Sequence, residues 1–202
     1  RMSAAPLIET PVEDVVDHVV GIAPGDRLDT IRRARPDTRN NIQAAHRALF
    51  GAETHGIAIA DRHLVASFVA GLTDPGSAVA QWHRDRTTDP ALLDRLLESA
   101  AQQGPWGTYR EAKLAAAGLP GQWWQVAEEE RELLGERLTA VLEHAHFLVL
   151  HPRDARPKVL ATLAASGWDR PQIVTWSQLI SFISFQVRLS AGFTVLAGEG
   201  LR

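Results

Sequence analysis

The spacing of apolar residues along the chain predicts helices almost throughout. In the segment 38–50, Ile42, Ala45 and Leu49 recur at intervals that place them on one helical face. Runs of alternating β-branched residues, which are typical of strands, are nearly absent. The longest amphipathic run, 127–150, has one continuous apolar face formed by Leu134, Leu138, Val141, Leu142, Ala145, Leu148 and Val149. The pattern therefore predicts an all-α, multi-helix bundle, which proline and glycine divide into about ten helices.

Acid–proline pairs and single acids predict where several helices begin. Asp74-Pro75 predicts the start of the helix that carries Trp82 and His83, and Asp89-Pro90 predicts the start of the next one. Asp37 and Asp169 are likewise predicted to cap the helices that follow them. Each acid would accept hydrogen bonds from free N–H groups in the first turn.

The chain is predicted to form one domain over residues 1–202. A helical arm is expected over 1–50 and a core over 56–202. The stretch 103–125, rich in glycine, proline and tryptophan, predicts an irregular linker with a short helix inside it. The length of the chain is sufficient for a sizeable core.

A weak internal sequence similarity predicts a two-helix repeat. Arg62-His63-Leu64 and Arg137-Leu138-Thr139 each open an apolar helix. Each of these helices is followed by a proline-containing break and a further helix. A shared two-helix unit is therefore plausible on the sequence pattern.

The C-terminal segment 173–196 is apolar nearly all round. A membrane span of this length rarely carries polar groups near its middle, whereas this one contains Gln178, Gln186 and Arg188. We therefore expect a central helix of a soluble core, surrounded by other helices, and no membrane partner.

Composition removes several classes of function. The 202 residues carry 21 Lys+Arg against 24 Asp+Glu, a net charge of −3, which gives no basic excess for nucleic acid. The chain has no cysteine, which excludes disulfides, a thiolate nucleophile and cysteine-ligated metals. The first ten residues lack a signal-peptide core, so a cytoplasmic location is expected. Glycine-rich phosphate loops, nucleophile elbows and the HExxH motif are missing, and no cofactor is expected.

Two histidines are candidates for proton transfer. His83 follows Trp82 on a predicted helix and would act as a general acid or base in a pocket between helices. His63 shares a helical face with Ser67, which would give a polar spot in a groove. The alternative for both is a structural histidine at a helix–helix contact.

Two arginines are candidates for holding an anion. Arg188 interrupts an apolar helix, so we expect its buried guanidinium to meet a carboxylate, a helix end or a bound anion. Arg62 lies directly before His63 and would have the same role. Structural pairing within the protein is the alternative for Arg188.

Three further histidines cluster at the end of the long amphipathic run. His144 and His151 are seven residues apart and share a face, whereas His146 points elsewhere. None of the pairs has the i, i+4 spacing of a helical metal site, so no metal is expected. The alternative is a favourable position of imidazoles near a helix C-terminus.

The C-terminal part of the chain contains two sequence motifs. The first is Leu163-Ala164-Ala165-Ser166-Gly167-Trp168-Asp169 followed by Ile173, and the second is Ser184-Phe185-Gln186-Val187-Arg188-Leu189-Ser190-Ala191-Gly192. These motifs resemble the last helices of the alkylhydroperoxidase D-like superfamily, which includes carboxymuconolactone decarboxylase. The segments 35–50 and 137–152 are similar to a peroxidase-related subgroup, and the resemblance covers most of the chain.

The chain departs from this family at the reactive positions. Redox members carry Cys-x-x-Cys-x-x-x-His, with the cysteines near a helix N-terminus. With His83 on the motif histidine, the two cysteine positions fall on Gly76 and Val79. The upstream glutamate of the motif would fall near His63 or Leu64 and is also missing. The thiol relay of the family is therefore not available.

The resemblance implies three functions and leaves open whether the protein is an enzyme. The first is acid–base chemistry on, or binding of, a small carboxylate or lactone, with His83 and His63 moving protons. Arg188, Arg62 and Trp82 would then bind the substrate. The second is a non-catalytic relative that binds or assembles as a trimer, hexamer or dimer. The third, on family similarity alone, is a peroxidase-related oxidoreductase.

Overall fold

The computed structural model describes residues 13–51, 54–101, 109, 111–118 and 123–198. The described part of the chain is all-α and contains no strand, as the apolar spacing predicted. It has nine α-helices and two short 3-10 helices. In chain order these are α1 (Val15–Val20), α2 (Arg27–Arg33), α3 (Pro36–Phe50), α4 (Ile59–Thr73), α5 (Ala78–Arg84), α6 (Pro90–Ala101), η1 (Ala112–Ala117), α7 (Glu128–Leu150), η2 (Pro152–Asp154), α8 (Pro157–Ala165) and α9 (Arg170–Gly198).

Several predicted helix boundaries are confirmed. Asp89 accepts a hydrogen bond from the Leu92 N–H at 2.9 Å, and Asp169 accepts one from the Gln172 N–H at 2.9 Å. Each carboxylate thus caps the helix that follows it. Gly21 ends α1 in the left-handed conformation at φ 78°, which glycine adopts without a Cβ penalty.

Two predicted caps are wrong. The helix carrying His83 begins at Ala78, with the Ser77 hydroxyl accepting from the Ala80 N–H, rather than at Asp74-Pro75. Asp74 instead ends α4 and accepts from the Gly76 N–H, because the turn through Gly76 precedes the helix. Asp37 does not cap α3, since Pro36 already occupies its first position.

The long run 127–150 is broken, although its apolar spacing predicted one continuous face. Gly135 lies inside α7 with φ 74° and ψ 161°. This conformation is outside the helical region, and glycine adopts it more readily than other residues do. Leu134 lies just before this break and packs partly buried against the core, while the fully buried apolar side chains of α7 lie after the break. The predicted face therefore packs on the core, but across a break rather than along one regular helix.

The core is built around α4 and α9. Helix α4 packs against α5, α6, α7 and α9. Fully buried side chains from both helices meet in it, among them Phe68, Trp176, Leu179 and Ile183. Burial of each such side chain contributes about 1.5–3 kcal/mol. The core draws residues from both sides of the predicted linker and from the linker itself, since it includes Leu96, Val126 and Trp124.

A small apolar cluster attaches the N-terminal arm to this core, and ion pairs hold the helices of the arm together. Val15 and Val16 of α1 pack with Ile42 and Trp82. Arg32 donates to both carboxylate oxygens of Asp14 at 2.7 and 2.8 Å, and both residues are buried. Removal of one partner of such a buried pair costs about 3–5 kcal/mol.

Helix α9 is long and apolar enough, by length and composition alone, to cross a membrane. About 39% of its most apolar window is buried inside the protein. Its buried side chains contact α4, α5, α7 and α8, so it is part of the core. The described helices cover only one side of it, so the expectation that other helices surround it is wrong.

The predicted linker is described only in part. The 3-10 helix η1 lies where a short helix was expected, whereas 102–108, 110 and 119–122 lie outside the described residues. The predicted two-helix repeat stays a prediction. Arg62 and Arg137 both lie near the start of helical segments, but α5 packs tightly on α4 while η2 separates α7 from α8.

Candidate functional site

The two histidines singled out in the sequence lie against each other in the core. His63 on α4 and His83 on α5 are joined by a hydrogen bond of 3.1 Å between their Nδ1 atoms. One ring donates and the other accepts, so the accepting ring carries its own proton on Nε2. The pairing follows from the close packing of α4 on α5, the most extensive helix contact described.

Two side chains of α3 complete a group that we call the imidazole cluster, formed by His46, Phe50, His63 and His83. The Phe50 ring centre lies 5.0 Å from that of His63 and 4.9 Å from that of His83. His46 packs on Phe50 at 5.0 Å. Exposure is 0% for His83 and 1% for His63, so neither ring meets solvent.

Burial keeps the histidines of the cluster neutral at pH 7. It lowers the pKa of His63 to about 3 and the pKa of His46 to about 4, and the positive charge of Arg86 adds to both effects. The pKa of His83 is well below its ordinary value, first because of burial and then because of the neighbouring His63 and His46. A neutral imidazole still offers one donor and one acceptor.

Polar atoms on one side of the cluster lack full hydrogen bonds. Gln186 is 0% exposed, and neither atom of its carboxamide makes a hydrogen bond of good geometry to a described residue. It faces His83 and offsets part of the lowering of the His83 pKa. The His83 Nε2, the His46 Nδ1 and the Ser190 hydroxyl are in the same situation. Such buried polar groups cost about 1–3 kcal/mol each unless something satisfies them.

The predicted polar groove beside His63 is closed. Ser67 is buried and its hydroxyl lies 2.9 Å from the Thr87 hydroxyl. Thr87 in turn donates to the His83 carbonyl oxygen at 3.1 Å. These hydrogen bonds tie α5 to α4 and leave Ser67 inside the protein rather than at a groove.

Arg62 holds the end of a helix. Its Nη1 donates at 2.8 Å to the carbonyl oxygens of Leu49 and Gly51 and to the Thr54 hydroxyl. The free carbonyls at the end of α3 need such a donor. Arg62 thus has a structural role at the end of α3, and the prediction that it binds a substrate anion stays a prediction.

Arg188 and Trp82 also lie away from the histidine pair. Arg188 is exposed, and its Nη1 donates at 2.8 Å to the Ser184 carbonyl of its own helix. The expected burial of Arg188 is wrong because α9 is covered on its other side. Trp82, on α5, is buried and faces α1. His18 of α1 packs edge-on against its ring, and the Arg86 guanidinium lies 3.3 Å from its ring centre.

The two positions of the missing cysteines are arranged differently from each other. Gly76 lies in the exposed turn before α5, whereas Val79 is 0% exposed in its first turn. Val79 and His83 are four residues apart and share one face of α5. A methyl-bearing side chain thus fills the space beside the imidazole.

The sequence pattern gave only partial signals for the rest of this site. Gln186 was visible as a polar interruption in an apolar helix, and its place beside His83 was not predicted. His46 follows Ile42 by one helical turn on the face that the apolar spacing marks as buried. The stacking role of Phe50 had no signal in the sequence beyond its apolar character.

The other histidine group lies on different helices. His144 and His146 are on α7, and His151 follows it; all three are buried. In the described ranges, no three His, Asp or Glu side chains are grouped so that they could hold a metal ion.

Comparisons with known proteins do not assign a family. No protein-family model matches the sequence. A search of the curated proteins gives no significant match either.

Proposed function

We propose that this protein is a cysteine-free, non-catalytic relative of the alkylhydroperoxidase D-like superfamily that binds and assembles rather than consuming peroxide. The observation that carries the proposal is the sealed state of His83. Its ring has no exposed surface and is packed by Phe50 and His63. A proton-transfer group must come within hydrogen-bond reach of its substrate, and these side chains occupy that space.

The filled sulfur position supports the same proposal. Val79 is completely buried on the face of α5 that carries His83, so no group at this position reacts with a peroxide. The two arginines that would have held a carboxylate donate to backbone carbonyls instead. The site therefore lacks the parts of the thiol relay.

The uncovered side of α9 supports assembly with a second copy of the chain. Val174, Phe185 and Leu196 are eleven residues apart, which places them along one stripe of the helix. They are 55%, 44% and 38% exposed, and Val195 beside them is 58% exposed. An apolar stripe of this kind pairs with its own copy across a two-fold axis.

Two measurements on the purified protein test the proposal. Hydrogen peroxide consumption with dithiothreitol as reductant is expected to equal that of buffer alone. Light scattering after size exclusion is expected to give a multiple of 22.1 kDa. Phe185→Glu is expected to shift the mass towards the monomer, while Ala191→Glu, exposed on another face of α9, leaves it unchanged. Peroxide turnover above background, or a wild-type monomer, overturns the proposal.

A second candidate function is proton transfer on a small carboxylic acid or lactone. It is favoured by the unsatisfied atoms of Gln186, Ser190 and His83, which a substrate oxygen would satisfy if α3 moved aside. Decarboxylation of carboxymuconolactone tests it directly. Turnover that His83→Gln abolishes and Arg188→Gln retains would establish this function in place of the first.

A further inference from the structure

A cavity of about 210 Å³ lies between α7 and α8, apart from the helices that form the imidazole cluster. Its wall includes three aromatic rings and three imidazoles, from Trp123, Trp124, Phe147, His144, His146 and His151. The sequence predicted that His144 and His151 share a face, and both line this cavity. No role has been given to it so far.

The cavity contains polar atoms with nothing to bond. His144 is 5% exposed, and neither of its ring nitrogens has a hydrogen-bond partner among the described residues. The Nε2 of His151, which is 2% exposed, is in the same position. These nitrogens are themselves buried, but they belong to residues that line the cavity, so a bound molecule can satisfy them after a small rotation of the imidazole ring.

The cavity is close to neutral. Burial lowers the pKa of His144 and that of His146 to about 4, so both rings are uncharged at pH 7. Glu143 is the one acidic side chain among the described residues that line the space, and no Lys or Arg is among them. Its carboxylate already accepts from the Arg131 guanidinium at 2.9 Å and from the Val126 N–H at 3.1 Å. An anion would find no free cation there, and a cation would gain little from the paired carboxylate.

The aromatic rings give the cavity flat walls. Trp124 stacks on Phe68 with 5.2 Å between ring centres and lies 5.2 Å from His146. Trp123 packs on Phe147 at 4.9 Å and is 56% exposed. Rings in this arrangement favour a flat ligand, which gains both buried area and ring–ring contact.

We propose that this cavity binds an uncharged aromatic or nitrogen-heteroaromatic molecule of one or two rings that carries a hydrogen-bonding group, of the phenol or indole class. The volume is below that of drug-sized sites, which sets the limit of two rings. The ring of the ligand packs on the tryptophans and Phe147. Its hydroxyl or ring N–H bonds to a ring nitrogen of His144 or His151, the two imidazoles of the lining that have unsatisfied nitrogens. This site is independent of whether the imidazole cluster is catalytic.

Isothermal titration calorimetry with phenol and with indole at pH 7 tests the proposal. One molecule per chain is expected to bind. Benzoate and choline, as anionic and cationic probes of similar size, are expected to bind at least about tenfold more weakly, because their charge must be desolvated in a neutral cavity. Absence of binding by both neutral probes, or equal binding of a charged one, overturns the proposal.

Variants locate the binding. His144→Leu removes the unsatisfied nitrogens and is expected to weaken phenol binding about fivefold, the usual effect of one hydrogen bond. Thr162→Trp, an exposed position that lines the cavity, should fill it and abolish binding even if His144→Leu fails to fold. His18→Gln, on α1 and exposed, is the matched control and should bind as the wild type does. Unchanged affinity in Thr162→Trp rules out this cavity as the site.

Discussion

The imidazole cluster and the α7–α8 cavity bury the same kind of side chain in opposite ways. His63 and His83 bond to each other and are enclosed by Phe50, whereas His144 borders an open space with both nitrogens unsatisfied. Burial lowers the pKa of histidines in both regions. The depth of burial therefore does not distinguish a binding site from a piece of core. What distinguishes a binding site is unsatisfied hydrogen-bonding atoms in residues that border empty volume.

The largest loss of stability is expected when one phenylalanine in each region is truncated. Phe50 is enclosed on all sides by the cluster, so Phe50→Ala leaves a cavity there and should cost about 4 kcal/mol of unfolding free energy. Phe147 already borders open space, so Phe147→Ala should cost about 1 kcal/mol less unfolding free energy than Phe50→Ala does. Urea denaturation at pH 7 measures both. Equal losses would mean that the cavity is as tightly packed as the cluster.

The next effect is the dependence of stability on pH. The folded-state pKa of His46 and that of His144 are each about 4, below the ordinary value of 6.5. At acidic pH the unfolded chain therefore binds more protons than the folded protein does. The stabilising contribution of each histidine is fully present above about pH 6.5 and is lost as the pH decreases towards 4. Each histidine should account for about 2 kcal/mol of the loss at pH 5.

Two phenylalanine substitutions separate the causes of that loss. His46→Phe and His144→Phe should each make the fall in unfolding free energy between pH 7.5 and pH 5 smaller by this amount. The lowered pKa of His46 has Arg86 and Arg47 as secondary causes, whereas that of His144 has burial alone. High salt should therefore reduce the His46 share and leave the His144 share unchanged. A salt effect on the His144 share would contradict this assignment.

The sequence was a good guide to the helices and a poor one to the contacts between them. Proline, glycine and capping acids act within a few residues, so the starts of α6 and α9 and the end of α1 could be predicted. The break at Gly135 was missed because the apolar spacing continues across it. The role of Ser77 was missed because Asp74-Pro75 gave the stronger signal three residues earlier.

In the candidate site too, single residues could be predicted from the sequence and the contacts between them could not. His63 and His83 were each recognised, but their hydrogen bond joins residues twenty positions apart and depends on how α4 crosses α5. Arg62 and Arg188 were grouped because both are arginines beside apolar residues. Their surroundings differ, since one lies under the end of α3 and the other on the uncovered side of α9. Such differences arise from tertiary packing and have no local pattern in the sequence.

The smallest expected effect separates direct contact from shared burial. A double-mutant cycle with His63→Leu and His83→Leu should give a coupling of about 1 kcal/mol, because each single change leaves a buried nitrogen unpaired and the double change removes both. The rings of His146 and His151 lie 6.1 Å apart and have other neighbours, the Ala100 carbonyl and Asp154. The same cycle there should give a coupling within about 0.3 kcal/mol of zero. All four rings are equally buried, so similar couplings would show that burial and not the shared hydrogen bond unites the cluster.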